Sequence, residues 1–263
     1  MNLGGRTVLL TGATGGLGGA IARALAARGA TVVLSGRRAE PLAALASEIR
    51  GRAIAADLSE PDAPERLLEQ AGDVDVLIAG AALPGSGELT SFSPAEVDRV
   101  LDVNLRAPVM LARLLVGPMT ARGSGHLVFV SSLSGKAAGP HSSLYSATKF
   151  GLRGFSLGLR QDLAEHGVGV SCVFPGFVRD AGMFAESGAT LPPGVGTSSS
   201  AEVAAGVIRA IERNRAEVDV APLGLRAGAR IAGLAPALTA SVQGRLGSFE
   251  IARAIGAGQR EKR

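Results

Sequence analysis

The 263-residue chain predicts an α/β fold, a doubly wound parallel sheet of about seven strands with helices on both faces. Two observations carry this prediction. Short β-branched or apolar runs alternate with longer stretches of helical spacing, and a glycine-rich segment joins the first run to the first helix. Because parallel strands need crossover connections of helix length, this order indicates right-handed βαβ units.

The predicted elements follow one another in regular alternation. The strands are expected at residues 7–10, 30–34, 52–56, 74–78, 126–130, 168–174 and 217–221. The helices are expected in the alanine-rich stretch after the glycine segment and at residues 41–50, 61–71, 93–120, 143–166 and 200–213. Ser93 precedes Pro94, which predicts a helix N-cap followed by a first-turn proline, and Ser200 is a second predicted cap.

No linker or internal repeat divides the chain, and its 46% hydrophobic content suffices for one large core. We therefore expect a single domain over residues 1–263. Within it, residues 178–199 are rich in glycine, proline and serine and predict a loop. Residues 222–263 form a C-terminal extension.

Composition excludes several classes of function. The single cysteine, Cys172, lies in an apolar run and is expected to be a core thiol in a reducing compartment. The three histidines are scattered, so no metal site is expected. The net charge is +4, but aromatics make up 3% and no basic run is interleaved with them, which argues against nucleic-acid binding. Without a signal-like or membrane-spanning run, a cytoplasmic location is expected.

The glycine-rich segment predicts a phosphate site. Gly12, Gly16 and Gly18 lie between a strand and a helix, so backbone amides and the positive helix end can face a pyrophosphate without obstruction by Cβ atoms. The spacing fits both TGxxxGxG and TGxxGxxG, because Gly15 adjoins Gly16. We therefore expect a Rossmann-type domain that binds an NAD(P) cofactor.

The end of the second predicted strand indicates which dinucleotide binds. An NAD site would place an acidic residue there for the ribose 2′-hydroxyl, whereas the chain has Ser35, Gly36, Arg37 and Arg38. Arginine is suited to a 2′-phosphate. NADP(H) is therefore preferred over NAD(H), the alternative being that both arginines form only a solvated turn.

Tyr145, the only tyrosine, and Lys149 predict an acid/base pair. A helix through them puts phenol and ammonium on one face, where the cation favours the phenolate and so lowers the pKa of the tyrosine. Ser132 follows the strand-like run at 126–130 and could donate a hydrogen bond to the same substrate oxygen. Taken alone, this spacing would also suit a core tyrosine and an unrelated surface lysine.

In combination these motifs resemble the short-chain dehydrogenase/reductase family, in its shorter, single-domain branch. The matching stretches are TGATGGLG, Asp57–Leu58, DVNL, SSLSG, YSATK and PGFV. The resemblance implies that Tyr145 donates or accepts the proton and that Ser132 orients the substrate carbonyl. It implies that Lys149 lowers the pKa of the tyrosine and binds the nicotinamide ribose.

Asn104 in DVNL is the fourth catalytic candidate that the resemblance implies. Its expected role is to hold a proton-relay water through a carbonyl that Pro108 leaves free, and its alternative role is an amide that satisfies backbone groups. The candidate cofactor residues are Gly12, Thr14, Gly15, Gly16, Leu17, Gly18, Arg37, Arg38, Asp57, Leu58, Gly80, Tyr145, Lys149, Pro175, Gly176 and Val178.

The implied reaction is hydride transfer between a nicotinamide and a carbonyl or secondary alcohol. Two alternatives stay open, an NADPH-binding sensor without catalysis and an epimerase- or dehydratase-like member of the extended branch. AGAA at residues 79–82, where the shorter branch has NNAG, favours the extended branch. Asp180 replaces the threonine of PGxxxT, which puts the usual bond to the carboxamide in doubt and leaves plain solvent contact as the alternative.

The loop at 178–199 predicts an apolar lid and therefore a hydrophobic ketone, aldehyde or alcohol as substrate. Its large apolar or rigid residues are Met183, Phe184, Leu191, Pro192 and Pro193.

The long helices at 94–120 and 144–166 resemble those at the family's subunit interfaces, so a homodimer or homotetramer is expected. In the tail, arginines are interspersed with leucine, isoleucine and valine, which allows peripheral membrane contact through residues 222–247. Packing of the tail over the substrate pocket or a subunit interface is the favoured interpretation. The final GQREKR is expected to be frayed and solvated.

Overall fold

The computed structural model of the chain describes residues 1–192, 194–237 and 248–260. Its centre is a seven-stranded sheet in the order β3-β2-β1-β4-β5-β6-β7, and every neighbouring pair is parallel. The strands are β1 (Thr7–Thr11), β2 (Thr31–Gly36), β3 (Arg52–Ala55), β4 (Val76–Ala79), β5 (Gly125–Val130), β6 (Val168–Pro175) and β7 (Glu217–Val220). The predicted fold class is confirmed, and each strand boundary lies within two residues of the prediction.

Helices cover both faces of the sheet. They are α1 (Gly16–Ala26), α2 (Ala39–Ile49), α3 (Ala63–Ala71), α4 (Pro94–Leu101), α5 (Ala107–Ala121), α6 (Ser143–Asp162), α7 (Gly182–Ala185), α8 (Ser200–Glu212), α9 (Leu223–Leu234) and α10 (Ser248–Gly258). One core packs α1, α2 and α8 against the sheet, and a second packs α3, α5 and α6 against the opposite face. Along β1, Val8 and Leu10 belong to the first core and Leu9 to the second, which explains why this strand is apolar throughout.

The sheet order reverses direction at β1, which pairs with β2 on one side and β4 on the other. In open parallel sheets, ligands bind in the crevice at such a switch point, outside the carboxyl ends of the strands. Because all seven strands are parallel, the segments after β1, β5 and β6 emerge at this same edge. The edge therefore carries the glycine-rich segment, Ser132 and Pro175, as predicted.

The helix predicted over residues 93–120 is divided into α4, a π-helical segment (Asp102–Arg106) and α5. Ser93 caps α4 through a capping box with Glu96, as its sequence position predicts. Pro108 has no N–H group, so it cannot donate to the carbonyl of Asn104 four residues earlier. In the π segment, backbone N–H groups bond to carbonyls five residues earlier, as Ala107 N does to Asp102 O. The helix therefore continues although the bond from residue 108 to Asn104 O is missing.

Two predictions for the C-terminal third need correction. The N-cap of α8 is Ser199, which forms a capping box with Glu202, and Ser200 is the first helical residue. Residues 258–260 are not frayed as predicted, because Gln259 is buried and its Nε2 donates to the carbonyl of Met183 at 3.0 Å. Residues 261–263 and 238–247, which include Arg245, lie outside the described residues.

A buried ion cluster joins the turn after β5 to β7. Lys136 Nζ donates to Glu217 Oε2 at 2.9 Å and to Asp219 Oδ1 at 2.6 Å, and lies 4.0 Å from the centre of the Phe174 ring. Arg153 on α6 donates to the other oxygen of Glu217 at 2.6 Å. Although burial opposes ionisation, the bonds from Arg153 and Lys136 lower the pKa of Glu217. The cluster therefore keeps the Glu217 carboxylate charged at the edge of the sheet.

We expect Lys136→Met to lower the free energy of unfolding by about 3–5 kcal/mol, because Asp219 would keep a buried charge without its nearest cation. Urea denaturation near neutral pH, followed by circular dichroism, measures this loss. Arg230→Met is the matched control, because that side chain is 69% exposed and lies 3.8 Å from Asp219. It should cost less than about 1 kcal/mol. Equal losses in the two variants would contradict the assignment.

Candidate active site

The glycine-rich segment lies tightly against the loop after β4. Gly12 adopts a φ of +71°, and a Cβ there would come within 2.7 Å of the Ala81 Cα. A Cβ on Gly18 would overlap the carbonyl oxygen of Gly12. Helix α1 has no side-chain cap on Gly15 and no acidic residue in its first turn. The backbone amides at this positive helix end suit an anion, so these residues fit the pyrophosphate of a dinucleotide.

Thr11 at the end of β1 joins the glycine segment to the β4 loop. Its Oγ1 accepts hydrogen bonds from Gly80 N and Ala81 N, both at 3.2 Å. The AGAA sequence lacks the bracing amide of NNAG, and this hydroxyl braces the same loop from the neighbouring strand. Sequence analysis missed Thr11, although a hydroxyl residue directly before the first glycine was the available signal.

The carboxyl end of β2 presents two exposed arginines. Arg38 Nη2 donates to the carbonyl of Thr14 in the glycine-rich segment at 2.9 Å. The hydroxyl of Ser35 is buried and has no hydrogen-bond partner among the described residues. Arg37 is near enough to Asp57 to help lower the pKa of that carboxyl. Cationic and hydroxyl groups thus gather at the position where a dinucleotide places its adenosine ribose.

Asp57 and Leu58 follow β3 at the same edge. Asp57 Oδ1 accepts from Ser59 N at 3.0 Å and from Ser59 Oγ at 2.7 Å, and its Oδ2 lies 3.4 Å from the Arg99 guanidinium. Burial raises the pKa of this carboxyl, but the bonds from Ser59 and the charges of Arg37 and Arg99 outweigh that effect and lower it. Asp57 therefore stays ionised beside the cofactor crevice.

The Asn104 side chain, which is fully buried, is committed to the backbone of the β4 loop. Its Oδ1 accepts from Leu83 N at 2.6 Å and its Nδ2 donates to Leu83 O at 2.9 Å. This is the amide role that the sequence left as an alternative. The side chain is thus satisfied by protein, and only the carbonyl that Pro108 cannot serve remains a candidate for holding water.

Ser132 and Tyr145 are brought together as the sequence predicts. The phenol of Tyr145 is hydrogen-bonded to the Ser132 side chain, and Ser132 Oγ also accepts from Ser134 N at 3.1 Å. The start of α6 is fixed by a bond from Tyr145 N to Gly85 O at 3.2 Å. A Cβ on Gly85 would lie 3.1 Å from Tyr145 N, so the glycine permits this close approach. The two hydroxyl groups can therefore address one substrate oxygen.

Lys149 lies on the same face of α6 as Tyr145 and is 2% exposed. Its Nζ donates to the carbonyl of Val130 at 3.1 Å and lies 5.5 Å from the centre of the Tyr145 ring. Burial lowers the pKa of this amine to about 8. A second bond, from Ser131 Oγ to the Lys149 carbonyl at 3.0 Å, ties this turn of α6 to β5.

The expected net lowering of the Tyr145 pKa by Lys149 is not found. Burial raises the pKa of Tyr145 to about 12, and the hydrogen bond with Ser132 offsets this only in part. The physical reason is that both groups are removed from water, which disfavours the charged form of each. The Lys149 ammonium is also directed at the Val130 carbonyl. The phenol of Tyr145 is therefore protonated at neutral pH.

The 178–199 loop packs against the glycine-rich segment. A Cβ on Gly16 would lie 2.5 Å from Gly182 N, so only glycine permits this contact. Val178 forms a parallel bridge with Ser198, and Asp180 accepts from Ser200 N at 2.8 Å and from Ser200 Oγ at 3.0 Å. Asp180 is exposed but also anchors the loop to α8, so it does more than make the plain solvent contact that the sequence left as an alternative.

The apolar residues of this loop are partly buried. Phe184 packs on Phe177 with ring centres 5.0 Å apart. Helix α10 reaches across this region, because Gln259 bonds to the Met183 carbonyl and Phe249 packs edge-on against His141 at 6.0 Å. Packing of the tail over this region is the interpretation that the sequence favoured. Pro193 lies outside the described residues. Pro175 and Gly176 complete the edge at the end of β6.

Several known proteins are similar to this chain over most of its length. Ketoacyl reductase HetN from Nostoc sp. is 40% identical over 225 residues, which cover 82% of this chain and 78% of that protein. A short-chain dehydrogenase from Sphingobium yanoikuyae, solved in complex with NADPH, is 28% identical with a TM-score of 0.76 and covers 91% of this chain and 94% of its own.

A short chain dehydrogenase/reductase from Burkholderia phymatum, solved in complex with NAD, covers 90% of this chain and 96% of its own at a TM-score of 0.79. Its identity is 23%, so it shows the fold alone. A sequence model of short chain dehydrogenases matches residues 6–192, the stretch that holds the glycine-rich segment, Ser132, Tyr145 and Lys149. The chain therefore belongs to the short-chain dehydrogenase/reductase family of oxidoreductases, which bind nicotinamide cofactors and act on small molecules.

Proposed function

We propose that the chain transfers hydride between NADP(H) and an apolar carbonyl compound or its secondary alcohol. The observation that carries this proposal is the hydrogen-bonded pair of Ser132 and Tyr145 beside Lys149, at the sheet edge that also holds the glycine-rich segment. A phenol and a hydroxyl at one position can serve both the carbonyl oxygen and the alkoxide that forms from it.

Tyr145 acts as the general acid. Its raised pKa of about 12 keeps it protonated at neutral pH, so the proton that reduction of a carbonyl requires is present. Ser132 Oγ accepts from Ser134 N, so its hydroxyl hydrogen can turn from the Tyr145 oxygen to the carbonyl oxygen of a bound substrate. The nicotinamide supplies the hydride when it is bound.

Lys149 and Asn104 support the proton transfer. One of the three donors of the Lys149 ammonium is used by Val130 O, and the others are available to the nicotinamide ribose. The charge of Lys149 stabilises the phenolate that remains after proton transfer. The Asn104 side chain forms two hydrogen bonds with the backbone of Leu83. Its backbone carbonyl receives no hydrogen bond from Pro108, which has no N–H group, and accepts one from a relay water instead.

The preference for NADP(H) rests on Arg37 and Arg38. Both guanidinium groups are exposed at the end of β2, and the described part of this turn has no acidic residue for a 2′-hydroxyl. Arg38 is partly used by Thr14 O, so Arg37 is the principal candidate for the 2′-phosphate. The NADPH complex of the related Sphingobium yanoikuyae dehydrogenase supports this preference.

The substrate class rests on the loop over the site. Phe177, Met183 and Phe184 present apolar groups beside the catalytic edge, and a ketoacyl reductase is among the relatives. We therefore propose an apolar ketone or acyl ketone. We also propose that the chain acts as one domain and forms a homodimer or homotetramer, in which α5 and α6, with the exposed Phe150, supply the contact.

Tyr145→Phe should lower kcat for NADPH-dependent ketone reduction by at least about a thousandfold, because the phenolic proton donor is removed. NADPH affinity should change less than about twofold, since the ring that packs in the site is retained. Absorbance of NADPH measures the rate and its fluorescence measures binding. Ser143→Ala, an exposed position on the same helix, is the control. Activity above a few per cent in the phenylalanine variant would refute the role.

Arg37→Ala should raise the KM for NADPH about 10- to 100-fold and leave the KM for NADH nearly unchanged, because only the 2′-phosphate contact is lost. Arg38→Ala should also raise the KM for NADPH. Arg215→Ala is the control, because this exposed arginine precedes β7 at the opposite edge of the sheet. If the wild-type chain prefers NADH, or if Arg37→Ala affects both cofactors equally, the NADP(H) assignment is wrong.

The reductive kcat/KM should be constant up to a pH of about 8 and fall about tenfold per unit above it. The pKa of Lys149 is lowered to about 8, so its charge is present below that pH and lost above it, whereas Tyr145 stays protonated up to about 12. Initial rates at saturating NADPH, with NADPH binding measured separately at each pH, test this. A rate that stays constant to about pH 10 would contradict it.

A further inference from the structure

Helix α9 carries an apolar stripe that faces solvent. Leu223, Ile231 and Leu234 are 77%, 55% and 88% exposed, and these three positions share one helix face with the exposed Ala227. The opposite face packs on the protein through Ala229 and Ala232. In most surface helices the large apolar side chains face the core, whereas in α9 they face solvent.

The segment that contains α9 holds the positive charge of the chain. Residues 222–263 include seven of the 27 lysines and arginines but two of the 23 acidic residues, so the rest of the chain is close to neutral. Helix α9 itself has two arginines and no acidic residue. The Arg230 side chain is 69% exposed and only loosely paired, 3.8 Å from Asp219. A surface that binds this region should therefore be negatively charged.

Helix α9 borders the candidate active site. At its start, Pro222 packs on Gly196 of the 178–199 loop, where a Cβ would lie 2.8 Å from the proline ring. Near its end, Gly233 lies close to the carbonyl of Lys136, four residues after Ser132. The stripe therefore runs along the side of the molecule on which the loop and the catalytic turn lie.

We propose that the α9 stripe docks the protein onto an anionic lipid bilayer. Leucine and isoleucine would enter the boundary between headgroups and acyl chains, and the arginines would lie among the anionic headgroups. A second copy of the chain is a less suitable occupant, because a symmetric contact through α9 would bring two acid-free, arginine-bearing helices together. No described helix is long and apolar enough to cross a membrane, so the contact is peripheral.

This inference goes beyond the proposed reaction and is tested separately from it. The full chain is centrifuged with vesicles of equimolar phosphatidylglycerol and phosphatidylcholine, and with vesicles of phosphatidylcholine alone. We expect the bound fraction to be at least about tenfold larger with the anionic vesicles and to fall at about 0.5 M salt. Equal sedimentation with the two kinds of vesicle would overturn the proposal.

Matched variants assign the binding to the stripe. The combined variant Leu223→Ser, Ile231→Ser and Leu234→Ser should reduce vesicle partition at least about tenfold. It removes the three apolar side chains that would be buried in the bilayer. Among single variants, Leu234→Ser should weaken binding, whereas Leu89→Ser, at a residue 57% exposed elsewhere, should not. Circular dichroism checks that each variant is folded. Reduction of a water-soluble ketone should be unchanged in all of them, so failure of docking and failure of the reaction are distinguishable.

Sedimentation velocity without lipid provides the competing outcome. If the triple variant loses self-association that the wild-type chain has, and neither binds vesicles, the stripe contacts a second copy and the proposal is wrong. If the oligomeric state is unchanged while vesicle binding is lost, the bilayer assignment stands.

Discussion

The burial of Lys149 is the constraint on which the rest of the candidate site depends. An ammonium group that is 2% exposed must be surrounded by groups that tolerate its charge, and the described residues provide one carbonyl, that of Val130, at hydrogen-bond distance. The amine keeps its charge only because its pKa, lowered to about 8, remains above neutrality. Strand β5 and the first turns of α6 are therefore fixed relative to each other. This arrangement also brings Ser132, which follows β5, next to Tyr145 on α6.

The same desolvation gives Tyr145 its chemical character. A phenol beside a solvated cation would ionise more easily, whereas this phenol, which is partly buried beside a buried cation, retains its proton. The structure thus separates two effects that a sequence motif combines. Proximity of the lysine favours the phenolate, but removal of both groups from water disfavours it more strongly, and the raised pKa of Tyr145 records which effect is larger.

Much of the fold could be predicted from the sequence because hydrophobic period and glycine position are local signals. The seven strands and the helices between them lie close to their expected positions, and the parallel topology then brings Ser132, Tyr145 and Lys149 to one edge. The bonds from Thr11 to the β4 loop, from Lys149 to Val130 and from Asp180 to Ser200 join residues distant in sequence. No local pattern encodes such partners.

The C-terminal extension was the hardest part to interpret from sequence. Its many glycines weaken the helical signal, yet α9 and α10 form because each packs one face on the protein. Gln259, directly after α10, contacts the 178–199 loop, although the basic, polar end of the sequence predicts fraying there. The stripe on α9 is visible only after the buried face of that helix is known.

Because of the π segment between α4 and α5, one continuous helix packs in two different hydrophobic clusters. Each π turn takes up an extra residue, which rotates the following side chains by about 100° relative to an uninterrupted α-helix. Val100 on α4 accordingly packs in a small cluster with Leu83 and Leu144, whereas Leu111 on α5 packs in the large core beneath the sheet. Deleting a single residue between 102 and 106 would restore helical regularity, but it would turn one of these faces away from its core.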